Sequence, residues 1–178
     1  MRITNILVTG PPGCGKTTLI EKVVRQLCSQ PIGFITREIR EEGNRVGFSI
    51  DTFNGQKEVL AHIQSKSTYR VGRYGVRIDT IDKIAVPSIK AAGAGVLIVI
   101  DEIGKMECLS RAFRNAVVET LGSENPMLAT ITMRGDSFIA SLKARKDVLL
   151  FKVSQSNRNT LVETVLTALR KILAKIRD

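Results

Sequence analysis

Residues 10–17 read GPPGCGKT, and these residue types in this order can hold a chain of phosphate groups. The stretch matches the pattern G-x-x-x-x-G-K-[S/T] at every fixed position. Glycines at positions 10, 13 and 15 remove Cβ atoms, so a curled backbone can direct its N–H groups at a polyanion and replace its lost water. Lys16 adds a mobile charge for the β- and γ-phosphates, and the Thr17 hydroxyl suits Mg²⁺. We predict a nucleoside-triphosphate site here. The alternative is a glycine-rich turn that connects a strand to a helix and binds nothing.

A second group of candidate residues follows the apolar run 96–100 (VLIVI), which ends in Asp101 and Glu102. A run without polar alternation is typical of a central parallel strand that is covered on both faces. We expect Asp101 to hold Mg²⁺ together with Thr17, and Glu102 to orient or deprotonate a water in line with the γ-phosphate. The alternative is that Glu102 is a solvated residue at the start of the next loop. A carboxylate beside the water favours hydrolysis over transfer to an acceptor.

Apolar runs and helical periodicities alternate along the chain and determine where these residues must lie. Strands are predicted over residues 4–9, 33–40, 45–52, 58–63, 96–100, 127–132 and 148–153. Helices are predicted over residues 17–27, 79–92, 109–121, 136–143 and 157–176. Pro87 should kink or split the second helix. The basic, glycine-containing stretch 69–77 (YRVGRYGVR) is predicted to be a loop.

This alternation predicts an α/β fold of three layers, with a mostly parallel sheet between two layers of helices. The turn residues 41–44 (EEGN) separate two strand-like runs and indicate a hairpin, so an antiparallel excursion from the main sheet is expected. Ligands of such sheets bind beyond the carboxyl ends of the parallel strands, where both motifs fall. A chain of 178 residues fits a single domain, residues 1–178.

Composition limits the classes of protein that this chain can belong to. Cys14, Cys28 and Cys108 are irregularly spaced and His62 is the single histidine, so neither a disulfide framework nor a zinc site is expected. No stretch reaches the roughly 20 apolar residues of a membrane helix, and we expect a cytoplasmic protein. The net charge of +10 suits polyanions such as nucleotides. Nucleic-acid binding remains the less favoured alternative because the basic residues are spread along the chain.

Several stretches, in order through nearly the whole chain, resemble the THEP-type nucleoside triphosphatases of archaea and bacteria, which have animal relatives. They are residues 10–18, 33–40, 45–48, 71–76, 101–107 (DEIGKME), 128–131 and 157–159 (NRN). The block 101–107 is the specific one, because the phosphate-binding loop alone identifies only a superfamily. The resemblance implies a RecA-like P-loop core with a catalytic glutamate, and slow hydrolysis of ATP, GTP and other triphosphates. Asn159 departs from the aspartate often expected at that position.

Further candidates lie around the two motifs. Lys105 follows Gly104, where the backbone can pass close to the nucleotide, and could contact phosphate, with Glu107 orienting it. The alternative is a surface loop that caps the next helix. Arg158 is expected to contact the nucleotide because the resemblance includes it. All the residues predicted to contact the nucleotide are Gly10, Pro11, Pro12, Gly13, Cys14, Gly15, Lys16, Thr17, Thr18, Asp101, Glu102, Ile103, Gly104, Lys105 and Arg158, with Lys16 and Glu102 catalytic.

Other polar residues have two interpretations each, and each arginine among them, taken singly, is better explained as a surface residue. Thr130 and Thr132 close a predicted strand and could sense the γ-phosphate, although threonine is also simply a good strand former. Arg134 and Arg145, like Arg158, could supply a transition-state cation or lie on the surface. Alternate residues of the run 33–40, namely Thr36, Glu38 and Arg40, share one face and form either a polar wall near the triphosphate or the wet side of an edge strand.

Together these observations predict a Mg²⁺-dependent hydrolase of nucleoside triphosphates that acts as a monomer. One alternative is a nucleotide or nucleoside kinase on the same core, although no arginine-rich lid segment lies between the late strands. A second alternative is a nucleic-acid-associated ATPase, whose turnover RNA or DNA would raise. A third alternative is a regulatory module that binds nucleotide without turning it over.

Overall fold

The computed structural model describes residues 2–27, 30–90 and 93–177, which leaves Cys28 and Ala92 of the predictions outside the described residues. The strands are β1 (Asn5–Thr9), β2 (Ile32–Glu41), β3 (Asn44–Thr52), β4 (Lys57–His62), β5 (Arg70–Val71), β6 (Tyr74–Val76), β7 (Ile98–Ile103), β8 (Met127–Ile131) and β9 (Val148–Lys152). The helices are α1 (Lys16–Arg25), α2 (residues 78–90), α3 (Arg111–Leu121), α4 (Ser137–Lys143) and α5 (Thr160–Arg177), with a 3₁₀ turn at Glu107–Leu109. None of the described helices is both long and apolar enough to cross a bilayer.

Within the described ranges, all the strands join one sheet in the order β5-β6-β4-β3-β2-β7-β8-β1-β9. The half from β2 to β9 is parallel: β1 pairs with β8 and β9, and β7 pairs with β8 and β2. Its central strands β1, β7 and β8 are mainly apolar runs buried on both faces, which is the composition that parallel strands under two helix layers require. The parallel core places the ends of β1, β7 and β8 side by side.

Two apolar layers cover this sheet, one on each face. On one face α1 and α5 pack through side chains such as Leu19, Val23 and Leu169. On the other face α2, α3 and α4 pack through side chains such as Ile81 and Phe113. The predicted three-layer α/β architecture is confirmed.

The antiparallel half begins at β2, which pairs with β3 through a tight turn at Glu42 and Gly43, and β4 continues it. The prediction of a loop over residues 69–77 was wrong, because β5 and β6 form a small hairpin there. Packing explains the hairpin: the Tyr74 ring lies edge-on to Phe48 with centroids 5.2 Å apart. Two- and three-residue strands carry no periodicity that a sequence could reveal.

Helix α2 changes its hydrogen bonding where Pro87 interferes. It begins as an α-helix at Ile78–Thr80, widens to a π-helix at Ile81–Ala85, and returns to α-helical form at Val86–Lys90. A proline has no N–H and its ring crowds the carbonyl one turn earlier, so the wider turn precedes it. The expected disturbance therefore appears as a change of helix type rather than as a break.

Candidate functional site

The loop between β1 and α1 curls tightly at the end of β1. Gly15 has φ 100° directly before the first helical residue, Lys16, a conformation that side chains with a Cβ rarely adopt. A Cβ on Gly10 would lie 2.4 Å from the carbonyl oxygen of Val153, so the loop is pressed against the segment after β9. The Lys16 ammonium donates hydrogen bonds to the carbonyl oxygens of Gly10 (3.2 Å) and Pro11 (3.3 Å). The loop thus has the curled backbone and the positive charge that a phosphate-binding loop requires.

The two acidic residues lie at the carboxyl end of β7, one strand removed from the loop. The register of β7 against β8 shifts by one residue between Ile100 and Ile103, so Asp101 and Glu102 form a bulge that faces the end of the sheet. Asp101 is 1 % exposed. Its Oδ1 accepts a hydrogen bond of 2.5 Å from the Thr130 hydroxyl on β8.

Burial raises the pKa of Asp101 to about 6, the Glu102 charge adds to that effect, and the Thr130 and Thr17 hydroxyls together with Lys16 oppose it. The second carboxylate oxygen, Oδ2, is buried and has no hydrogen-bond partner among the described residues. A buried carboxylate oxygen without a partner is costly unless a cation or donor meets it. Asp101 and the Thr17 hydroxyl therefore fit a hard cation such as Mg²⁺, which binds few protein oxygens and keeps several waters. No cluster of three His, Cys, Asp or Glu ligands occurs among residues 2–27, 30–90 and 93–177.

These elements enclose a cleft of about 860 Å³, here called the phosphate cleft. The predicted residues on its wall are Gly10, Pro12, Gly13, Gly15, Lys16, Thr17, Thr18, Asp101, Glu102 and Lys105. The other predicted contact residues, Pro11, Cys14, Ile103, Gly104 and Arg158, lie outside that wall. The structure thus brings the phosphate-binding loop and both acidic residues to one cavity, which is the arrangement that the motifs require.

Glu107 lies beneath the loop that follows the two acidic residues. It is 4 % exposed, and a Cβ on Gly104 would lie 2.9 Å from its Oε2 and 3.4 Å from the Glu102 side chain. Burial raises the pKa of Glu107 to about 8, and the charges of Glu102 and Asp101 contribute, so its carboxyl is mostly protonated at neutral pH. Lys105 is exposed at the cleft wall. Glu107 is therefore a buried support of the Gly104 turn rather than a surface residue that orients Lys105.

The antiparallel half contributes a wall that sequence reasoning only partly anticipated. Thr36 and Glu38 line the cleft, whereas Arg40 pairs with Glu38 at the outer end of the strand. Phe48 and Arg45 also line the cleft. The register that pairs Glu38 with Phe48 places both on this face, so the hairpin turn was the signal that could have located Phe48. The other lining residues that were not predicted are Glu21, Arg37 and Met133.

The three candidate arginines have different surroundings. Arg134 lines the cleft, and Thr132 beside it donates a hydrogen bond of 3.1 Å to the Arg134 carbonyl. The Arg158 side chain lies over the phosphate-binding loop, with its Cδ 3.4 Å from the position of a Cβ on Gly15. Arg145 instead forms an ion pair of 2.6 Å with Asp147, directly before β9, and neither residue is among those that line the cleft. The interpretation of Arg145 as a transition-state cation is therefore wrong, because this partly buried pair holds its side chain elsewhere.

Comparison with known proteins gives consistent results. A sequence profile of the family described as NTPase matches residues 5–166. The chain is similar to "Nucleoside-triphosphatase THEP1" of Thermotoga sp. (strain RQ2), with 45% identity over 93% of this chain and 95% of that protein. It is 37% identical to "Cancer-related nucleoside-triphosphatase" of Homo sapiens over 93% of this chain and 96% of that one. The crystal structure of THEP1 from Aquifex aeolicus superimposes with a TM-score of 0.85 at 34% identity, covering 93% of this chain and 98% of that one.

Proposed function

This chain belongs to the NTPase family, and we propose that it hydrolyses Mg²⁺-bound nucleoside triphosphates by attack of water on the γ-phosphate. The products are a nucleoside diphosphate and inorganic phosphate. One observation carries the proposal: the buried, unpartnered Oδ2 of Asp101 shares a cleft with Lys16, Thr17 and Glu102. Such a cleft offers a phosphate loop, a cation site and a free carboxylate together.

Binding depends on the loop and on Lys16. The N–H groups of residues 13–15 and the amino end of α1 replace the water around the phosphates. The Lys16 ammonium, whose present partners are two carbonyl oxygens of the loop, is free to move to the β- and γ-phosphates. Arg158, lying on Gly15, supplies a second positive charge at the outer side of the loop.

The cation would be held by the Thr17 hydroxyl and by Asp101. When bound, Mg²⁺ supplies positive charge that offsets the charge on the β- and γ-phosphate oxygens. The Thr130 hydrogen bond to Oδ1 holds the Asp101 carboxylate so that its other oxygen remains available for the cation. Thr130 thus has a positioning role, which the sequence left open.

Glu102 prepares the attacking water. Its carboxylate takes a proton as the water oxygen bonds to the γ-phosphorus and the bond from that phosphorus to the bridging oxygen breaks. Lys16 stabilises the charge that develops on the leaving oxygen. The residues proposed for these steps all lie in one chain, so a monomer would suffice for turnover.

Phosphate release from ATP, GTP, CTP and UTP, with Mg²⁺ or with a chelator, tests this proposal. We expect release from each triphosphate with Mg²⁺ and a loss of release with the chelator. Glu102→Gln should lower turnover by about 10²-fold or more, the scale of general-base catalysis, while binding of a non-hydrolysable triphosphate stays within about threefold. Unchanged turnover of Glu102→Gln would remove this residue from the mechanism. Phosphate release that appears only with RNA or DNA would instead support a nucleic-acid-associated ATPase. Formation of nucleoside diphosphate without phosphate release, seen only with an added acceptor, would support a kinase.

A further inference from the structure

A second cavity of about 390 Å³ adjoins the phosphate cleft; we call it the side cavity. It lies between the loops that follow β7 and β8, on the face of the sheet covered by α3 and α4. Lys105, Thr132 and Arg134 line both the side cavity and the phosphate cleft. Its volume lies in the range of small-molecule sites, and none of the steps proposed for hydrolysis uses it.

The interior of the side cavity is apolar. Cys108 and Ile139 are buried at 6 % and 4 % exposure and line it, and Leu109 beside them is 39 % exposed. Burial raises the pKa of the Cys108 thiol to about 12, so this residue contributes apolar surface and no charge. Gly104 and Gly135 lie on the wall without side chains. A flat, weakly polar group therefore fits this interior.

Two polar side chains are held rigidly at its edge. Arg114 forms an ion pair of 2.8 Å with Asp136 and donates a hydrogen bond of 2.6 Å to the Cys108 carbonyl. Its guanidinium also lies 4.9 Å from the centre of the Phe138 ring. Fixed donor and acceptor groups of this kind can recognise the polar edge of a heterocycle without losing side-chain entropy.

Two cations lie where the side cavity meets the phosphate cleft. The side chains of Lys105 and Arg134 form no hydrogen bond or ion pair with any described residue, and both are exposed. The backbone that leads to Arg134 is held in place, since Lys143 donates hydrogen bonds to the Thr132 and Met133 carbonyls at 2.6 and 3.0 Å. Two cations on the walls shared by both cavities match the two negative charges of a phosphate monoester.

We propose that the side cavity binds a second ligand of the nucleoside monophosphate class, with its base inside and its phosphate between Lys105 and Arg134. The apolar interior favours the base, the Arg114–Asp136 pair borders its polar edge, and the paired cations receive the phosphate. This ligand binds at the same time as the triphosphate, because the two cavities meet without coinciding. The inference goes beyond the proposed hydrolysis and does not depend on turnover.

Calorimetric titration of AMP, GMP, CMP and UMP tests the proposal. Each would be added to the full chain with the phosphate cleft saturated by a non-hydrolysable triphosphate, and again without triphosphate. We expect one equivalent of at least one monophosphate to bind in both titrations. Leu109→Asp, which adds a negative charge to the side cavity, should weaken that binding at least tenfold.

The matched control is Val118→Asp, which adds the same charge at an apolar residue that is 45 % exposed outside both cavities. It should leave monophosphate binding unchanged, and both variants should bind the triphosphate analogue as the parent chain does. Leu109→Trp, which fills the cavity without adding charge, should also weaken monophosphate binding. Displacement of the monophosphate by the triphosphate analogue would overturn the proposal, as would undiminished binding by Leu109→Asp or the absence of monophosphate binding. If the chain failed to bind the triphosphate analogue, the proposed hydrolysis would be wrong. The titration of monophosphate without triphosphate would then still test the side cavity by itself.

Discussion

The Thr130 hydroxyl and the Asp101 carboxylate form a hydrogen bond of 2.5 Å between adjacent strands, at the buried edge of the phosphate cleft. This bond favours the ionised form of Asp101 and so opposes the rise in pKa that burial causes. A cation needs that ionised form. The protonation of one carboxyl should therefore be visible in the Mg²⁺ dependence of the enzyme.

Thr130→Val should weaken Mg²⁺ binding at pH 6 by about tenfold or more, since a hydrogen bond to a charged group contributes about 1.5–3 kcal/mol. The Asp101 pKa of about 6 predicts that Mg²⁺ affinity falls as pH decreases through this value, and Thr130→Val should move the decrease to higher pH. Phosphate release measured against Mg²⁺ concentration at a series of pH values gives both quantities. Thr130→Ser keeps the donor and should behave like the parent, and an identical pH profile for the valine variant would contradict the assignment.

Glu107→Gln should retain turnover within about threefold, because a neutral amide resembles the protonated carboxyl that burial favours at this site. The folded-state pKa of about 8 exceeds the ordinary glutamate pKa of 4.5, so the folded chain binds the proton more tightly than the unfolded chain. The contribution of Glu107 to stability is therefore complete below pH 4.5 and is lost as pH rises through about 8.

Thermal unfolding at pH values from 5 to 9 tests the predicted direction of this change in stability with pH. Relative to the parent chain, Glu107→Gln should gain stability as pH rises. Glu107→Ala instead leaves a void under the Gly104 turn and should lower both the melting temperature and turnover. If Glu107→Gln were as inactive as Glu102→Gln, Glu107 would have a direct part in the chemistry.

Arg158→Ala and Arg145→Ala should separate binding from stability. Arg158 lies on the phosphate-binding loop, so its loss should weaken triphosphate binding several-fold with little change in melting temperature. Arg145 holds Asp147 at 2.6 Å and the Leu121 carbonyl at 3.1 Å, so its loss should destabilise the fold by about 1–3 kcal/mol while turnover persists. Triphosphate binding, denaturant unfolding and phosphate release should be measured for both variants. Weaker binding by Arg145→Ala together with a less stable Arg158→Ala would contradict these assignments.

Gly10→Ala should disturb the loop, because the added Cβ would lie 2.4 Å from the Val153 carbonyl oxygen, a backbone atom. We expect a loss of triphosphate affinity of about tenfold or more and a lower melting temperature, since overpacking costs about 1–3 kcal/mol. Gly93→Ala is the control: a Cβ there meets no atom of the described residues within 4 Å. Equal behaviour of the two variants would show that the approach of loop and strand is unimportant.

The parts of the fold that the sequence predicted are those with long local signals. The apolar run before Asp101 and the glycine pattern between an apolar run and a helical periodicity around Lys16 are both long local signals, so the strands that position these residues could be located. The β5–β6 hairpin was missed because it depends on the packing of Tyr74 against Phe48, which are distant in sequence. A contact between residues that are distant in sequence produces no periodicity in the sequence.

The candidate site likewise contains residues that the sequence predicts and residues whose surroundings only the structure reveals. The spacing of the loop pattern predicts the roles of Lys16 and Thr17, and the apolar run that ends at Asp101 predicts that this carboxylate joins them at the end of the sheet. The role of Thr130 stayed open because threonine favours strands in any case, and only the hydrogen bond to Asp101 resolves the ambiguity. The burial of Glu107 could not be predicted either, since it results from the Gly104 turn closing over a side chain three residues later.

Strand β8 lies between β1 and β7, although it follows both in the chain. A polypeptide emerging from the ribosome therefore presents its glycine loop and its acidic pair long before residues 127–131 can unite them. The nascent chain should therefore remain incapable of hydrolysis until this late segment inserts between the two strands.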